Sequence, residues 1–180
     1  MDRQPTLVGN LIEMRPLAEA DWDGLFAVAG DKELWALHPV HTRWQEPVFR
    51  AMFAEALAEG GALVAVERAT GRIIGSSQYR GYRPENGGSV EVGWSFIARS
   101  HWGGEYNREM KRLMLAYALR FVERARFRVG ENNLRSRRAM EKIGGRLTDA
   151  VEVVQGPEGP ITHVTYEITR EGFATGPLSS

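Results

Sequence analysis

Between Val90 and Gly145 the chain carries two groups of residues whose types and spacing suit the binding of an anion. The first is Arg99-Ser100-His101-Trp102-Gly103-Gly104-Glu105-Tyr106, a glycine turn that opens onto a long amphipathic segment. A glycine turn at this place exposes backbone N–H groups at the positive end of the helix dipole, which suits phosphate. The second group is Asn133-Leu134-Arg135-Ser136-Arg137-Arg138, where Asn133 is a good helix N-cap. The chain has no cysteine, so disulfides, thiolate metal ligands and a cysteine nucleophile are excluded. His38-Pro39-Val40-His41 holds two histidines, yet no carboxylate or further histidine follows at ligand spacing, and no metal is expected.

The elements that must position these residues can be read from apolar periodicity. Strands are expected over 11–17, 62–67, 73–79, 90–96, 125–129, 146–154 and 161–168. Helices are expected over 19–29, from Pro47 to the stop at Gly60-Gly61, over 106–123, and from Asn133 to about Ile143 before Gly144-Gly145. Ala69-Thr70-Gly71-Arg72 reads as a hairpin turn, and 156–160 as another. Gly93 stands inside an alternating strand, where glycine marks a bulge or a close backbone approach. The segment 172–180 is expected to fray.

Length and composition narrow the class further. With 180 residues, one α/β domain spanning 1–180 is expected, its core at about 11–170. Lysine and arginine balance aspartate and glutamate at 23 each, so nothing draws the whole molecule to nucleic acid or to an anionic membrane. The arginines at 124, 126, 128, 135, 137 and 138 prompt a nucleic-acid reading, but they alternate on a strand and crowd a helix start rather than forming one patch. No apolar run is long enough for a membrane span and no leader is visible, so a cytoplasmic protein is the expectation.

The order of elements, with the two groups about 30 residues apart, resembles the GNAT superfamily of N-acetyltransferases over roughly 11–170, and within it the RimJ/RimL-like ribosomal-protein acetyltransferases. Arg99–Tyr106 is similar to that family's aromatic–Trp-Gly-x-Gly-Tyr pyrophosphate loop, and Asn133-Leu134-Arg135-Ser136 to its Asn-x-x-Ser helix start. The resemblance implies a mixed, mostly antiparallel sheet of about seven strands with four helices, splayed between the fourth and fifth strands. It also implies acetyl-CoA as acetyl donor. There are two departures: Glu105 stands where the second glycine is usual, and Met140 where the family has a tyrosine general acid.

On that resemblance, Glu91 is the candidate base through water, or else an ordinary paired strand carboxylate. Ser136 is the candidate to contact or protonate the CoA sulfur, or else a helix-surface serine. Backbone N–H groups near Phe96, Ile97 and Ala98 would polarise the thioester carbonyl. Asn133 is either a pantetheine contact or only a cap, while Arg99, His101, Arg137 and Arg138 either reach phosphate or stay in solvent. Trp102 would pack under the loop of Gly103 and Gly104. Glu105 would point outward and offer only its N–H, beside Tyr106. Trp35 and His38 are acceptor-wall candidates or plain packing. The implied activity is direct attack by a primary amine, of a peptide N-terminus or a small molecule, in a ternary complex formed by a monomer or homodimer. A GNAT-like protein that holds CoA or acyl-CoA without turnover is the alternative.

Overall fold

The computed structural model describes residues 1–156 and 159–179. Pro157 and Glu158, within the expected turn at 156–160, lie outside the described residues. Eight strands form one sheet: β1 (Leu7–Val8), β2 (Ile12–Pro16), β3 (Ala62–Glu67), β4 (Ile73–Arg83), β5 (Ser89–Ile97), β6 (Arg124–Gly130), β7 (Arg146–Gly156) and β8 (Gly159–Thr169). Their order is β1-β2-β3-β4-β5-β6-β8-β7, antiparallel throughout except where β5 meets β6. The helices are α1 (Trp22–Ala29), α2 (Glu46–Glu59), α3 (Glu105–Ala118), α4 (Leu134–Lys142) and α5 (Arg170–Thr175).

The apolar alternation of the central strands divides the core between the two faces of the sheet. On β3, Leu63 and Ala65 join one cluster with Met110, Met114 and Leu115 of α3, while Ala62 and Val64 join another with Leu25 of α1 and Phe49 and Phe53 of α2. Both faces of β3 are therefore covered. Helix α3 is anchored at its start by Glu109, whose carboxylate accepts backbone N–H groups of Asn10, Leu11 and Ile12 at 2.8, 2.8 and 2.9 Å.

Two irregularities open the sheet. Ser76 pairs with Phe96 but Gln78 pairs with Gly93, so Trp94 and Ser95 of β5 together face Ser77 of β4. This bulge puts Trp94 at φ +50°, a conformation bulky residues rarely adopt. Strands β5 and β6 then pair only from Ser89–Glu91 to Arg124–Arg126 and part beyond. That is the splay expected between the fourth and fifth strands, shifted by one in number because the two-residue β1 is not legible in the sequence.

The ends of the chain also differ from expectation. Helix α3 stops at Ala118 rather than 123, closed by turns through Val122. The segment expected to fray holds α5, capped by the Thr169 hydroxyl on Gly172 N–H at 3.0 Å, and Leu178 is buried in the main core.

Candidate active site

The parting strands leave a groove of about 1460 Å³, walled by β5 and β6, the start of α4, the 103–104 loop and the segment carrying Trp35, His38 and Arg43. Of the residues singled out in the sequence, Glu91, Phe96, Ile97, Trp102, Gly103, Gly104, Asn133, Ser136, Arg138, Trp35 and His38 line it. Ala98, Arg99, His101, Glu105, Tyr106 and Arg137 do not.

The glycine loop has the form that its sequence suggests. Gly103 lies at φ +72°, and a Cβ on it or on Gly104 would meet open space. No side chain caps α3, whose first N–H groups remain without a side-chain acceptor. The loop is held from below: the Trp102 indole N–H donates to Ile97 O at 2.9 Å, and the Arg135 guanidinium lies 4.0 Å over the ring. Glu105 is exposed, lies 4.0 Å from Arg108 and is not among the residues that line the groove.

The basic side chains beside this loop have partners away from the groove. Arg99 is held by Asp31 at 2.5 Å, and His101 contacts Glu67 at 3.3 Å. Tyr106 donates its hydroxyl to the same Glu67 at 2.7 Å, stacking edge-on against His101. Hydrogen bonds from Thr70 first, then Tyr106 and His101, hold the Glu67 carboxyl down to about 2. Arg137 reaches Tyr166 and the carbonyl of Glu131. In each case a partner outside the motif decides the direction.

At the α4 end, Asn133 is buried and its side-chain oxygen accepts Ser136 N–H at 3.2 Å, the N-cap geometry. The cap leaves Ser136 and Arg138 on the groove wall. Met140 is buried there too and supplies no acidic proton.

On β5, Glu91 is an ion-paired carboxylate: Arg128 of β6 sits 2.9 Å from one oxygen and also 2.6 Å from Glu152. The other Glu91 oxygen occupies the space that a Cβ on Gly93 would need, at 2.9 Å, so the glycine makes room for the carboxylate. Of the three backbone donors expected, Ala98 N–H is already bonded to Ile74 O at 2.7 Å. Alternation along the strand turns Phe96 N–H the same way and leaves Ile97 N–H facing the slot.

The far wall is largely closed. Trp35 is buried and its N–H donates to Ala29 O at 2.7 Å, so it packs against Phe96 rather than presenting a polar edge. His38 accepts Val40 N–H at 2.9 Å and lies 3.0 Å from Arg43. Burial, then the Arg43 charge, push its pKa down to about 3, so the ring is neutral.

Three groove residues escape the sequence reading. Arg80 stacks 4.2 Å over Trp94 and pairs with Glu59. Ser95, exposed at the bulge, shares a 2.7 Å hydrogen bond with Ser77. Lys111 of α3 reaches up to donate to Ser95 Oγ at 2.6 Å. Its position fits the buried stripe of Met114, Leu115 and Ala118 at i+3, i+4 and i+7, which is the available signal. Among the described residues, no group of three histidines, aspartates or glutamates could hold a metal ion.

Proteins of known structure share this fold. The profile of the acetyltransferase (GNAT) domain matches residues 12–146. A T. thermophilus protein provisionally assigned as an acetyltransferase is 26% identical, with TM-score 0.75 over 93% of this chain and 90% of that one. A GCN5-related N-acetyltransferase from Brucella melitensis is 18% identical, with TM-score 0.77 over 94% and 80%. The ribosomal-protein-S5-alanine acetyltransferase of Vibrio fischeri shares the fold at 10% identity, with TM-score 0.68 over 93% and 98%. No curated protein sequence is similar enough to count as a match.

Proposed function

The chain belongs to the acetyltransferase (GNAT) family, and from that premise we propose that it moves an acetyl group from acetyl-CoA to a primary amine, by direct attack in a ternary complex. The observation that carries this reading is the slot between β5 and β6, open on one side to the bulge and at its mouth to the uncapped N-terminus of α3. CoA fits such a site: Gly103 and Gly104 leave room for a pyrophosphate against the first N–H groups of α3, and Arg135, Arg138 and Lys142 line the same groove. Bound acetyl-CoA supplies the activated acetyl group.

The chain's own groups then do the rest. Ile97 N–H is the donor we assign to the thioester carbonyl oxygen, because strand alternation turns it to the slot. Glu91, paired with Arg128 at 2.9 Å, takes the amine proton through water. Ser136 faces the groove where the CoA sulfur would lie. With no cysteine in the chain, no acyl-cysteine relay is available.

The acceptor is a peptide N-terminus or a small amine. The proposal includes a RimJ/RimL-like placement, which distant fold likeness to the Vibrio fischeri enzyme suggests; it further takes the protein as cytoplasmic and of one domain, acting as monomer or homodimer without nucleic-acid or membrane partners. Among the described residues no helix is long and apolar enough to cross a membrane. The burial of Met140 at the family's tyrosine position favours the second reading, a CoA-binding protein without turnover.

Thermal-shift titration with acetyl-CoA and CoA, followed by thiol release across an amine panel, separates the two. A rise in Tm with both ligands and thiol release that falls in Glu91→Gln and Ser136→Ala is the expected result. Absence of any shift would end the CoA reading, and a shift without thiol release would leave the binding protein.

A further inference from the structure

We propose that Lys111 is the proton donor to the CoA sulfur, occupying the role that Met140 cannot fill. The inference rests on the acetyl-CoA reading above and concerns a residue on a different helix from the family's tyrosine position.

Helix α3 delivers Lys111 from beneath the sheet into the gap between the two strands that part. Its Nζ bonds Ser95 Oγ on the β5 bulge at 2.6 Å and lies 5.3 Å from the Phe127 ring centre on β6. Only 3% of the residue is exposed, yet it lines the groove. Among the described residues it has no carboxylate partner. A methionine would fill the same space without desolvating a charge. An unpaired ammonium at the floor of a ligand slot is instead suited to a negative charge that develops there.

The surrounding charges point the same way. Facing the groove are Arg108 from α3, Glu91 from β5, Arg128 from β6, Arg80 from β4, Glu55 from α2 and His163 from β8. Arg135, Arg138 and Lys142 come from α4, and His38 and Arg43 from the loop before α2. Cations prevail over the two carboxylates, of which Glu91 is already paired with Arg128. Such a field favours an anionic sulfur and eases proton loss from a neighbouring ammonium. Burial holds the Lys111 pKa down to about 7, where one group can give and regain a proton at neutral pH.

The step balances as follows. The acceptor nitrogen forms its bond to the acetyl carbon, the carbon–sulfur bond breaks with its electron pair on sulfur, and a proton passes from Lys111 Nζ to sulfur. The proton shed by the acylated nitrogen leaves through Glu91 and water, and one proton from solvent restores the ammonium. Ser95, itself bonded to Ser77, orients Nζ throughout.

The test measures thiol ionisation of bound CoA by far-ultraviolet thiolate absorbance against pH, in wild type, Lys111→Met and Lys111→Arg, with desulfo-CoA affinity as the control. In wild type the bound thiol should ionise at lower pH than free CoA. Lys111→Met should abolish that shift with desulfo-CoA affinity unchanged within about twofold, and should lower kcat by about 10²-fold or more, the scale of general acid loss. Lys111→Arg should keep the shift but not the rate, because a guanidinium stays charged and yields no proton. An unchanged thiol titration or unchanged kcat in Lys111→Met, with CoA still bound, overturns the assignment alone. Failure of wild type to bind either ligand overturns the acetyl-CoA reading and this inference with it.

Discussion

Replacing Lys111 by methionine in the ligand-free protein tests the electrostatics of the slot without any substrate. In the unfolded chain this lysine titrates near 10.5, and in the fold desolvation holds it to about 7. Between these values the unfolded chain binds a proton that the native one has lost, so native stability rises with pH across the window. Below about 7 both states are protonated and the native state bears the full cost of the buried ammonium. At about 1.4 kcal/mol per pKa unit, the gap corresponds to roughly 3–6 kcal/mol spread over the window. Methionine has no proton to lose, so its stability lacks this slope. The lost hydrogen bond to Ser95, made by a neutral amine within this window, costs about 0.5–1.5 kcal/mol and does not depend on pH there.

The measurable quantity is therefore the stability of Lys111→Met minus that of wild type, from urea unfolding at a series of pH values. It should be most favourable to the variant at pH 7 or below, and should shift towards wild type by several kcal/mol as pH approaches 10.5. Tyr79, whose buried hydroxyl titrates far above its ordinary range, affects both proteins equally and cancels. A difference that stays flat from pH 7 upward would mean that Lys111 titrates like a solvated lysine, and the reasoning about the slot would fail.

Glu109→Gln should cost about 2–4 kcal/mol, because a neutral amide cannot accept three backbone N–H groups as the carboxylate does; an unchanged urea midpoint would show that the clasp on 10–12 is not maintained. His38, neutral in the fold and titrating at about 3 against 6.5 when unfolded, should make native stability fall as pH drops from 6.5 towards 3. The ring is only half-buried, so the contribution is taken as roughly 2–4 kcal/mol. His38→Gln should flatten that part of the acid limb in a Tm-against-pH series, and an unaltered limb would assign the acid loss to other groups.

What the sequence makes legible is what short-range rules control. Strand alternation, the caps at Asn133 and Gly144, and the glycine turn before α3 depend on neighbours a few residues away, and each stands where expected. Gly93 signals a bulge, and the extra residues fall beside it at Trp94 and Ser95. The directions of Arg99, His101 and Arg137 are not legible, because Asp31, Glu67 and Tyr166 capture them from distant parts of the chain. The same holds for Glu91, whose partner Arg128 lies two residues beyond Arg126, the residue that faces Glu91 in the parallel pairing of β5 and β6, a long-range arrangement that spacing does not reveal.

Lys111 escapes for a different reason. Its spacing to Met114, Leu115 and Ala118 places it on the buried stripe, but a lysine there is expected on the solvated side because burying an unpaired ammonium is costly. That cost is the ground for a functional reading. A side chain that violates the packing rule at the floor of a groove, beside a bulge that keeps two strands apart, is held in an unfavourable state by the rest of the fold. In the same slot, Met140 removes the acid that the family's pattern would supply. The two departures compensate each other if the proton is delivered from α3 instead of α4. The pH series on Lys111→Met and the thiol titration of bound CoA decide that point from independent directions, one in the empty protein and one in the loaded one.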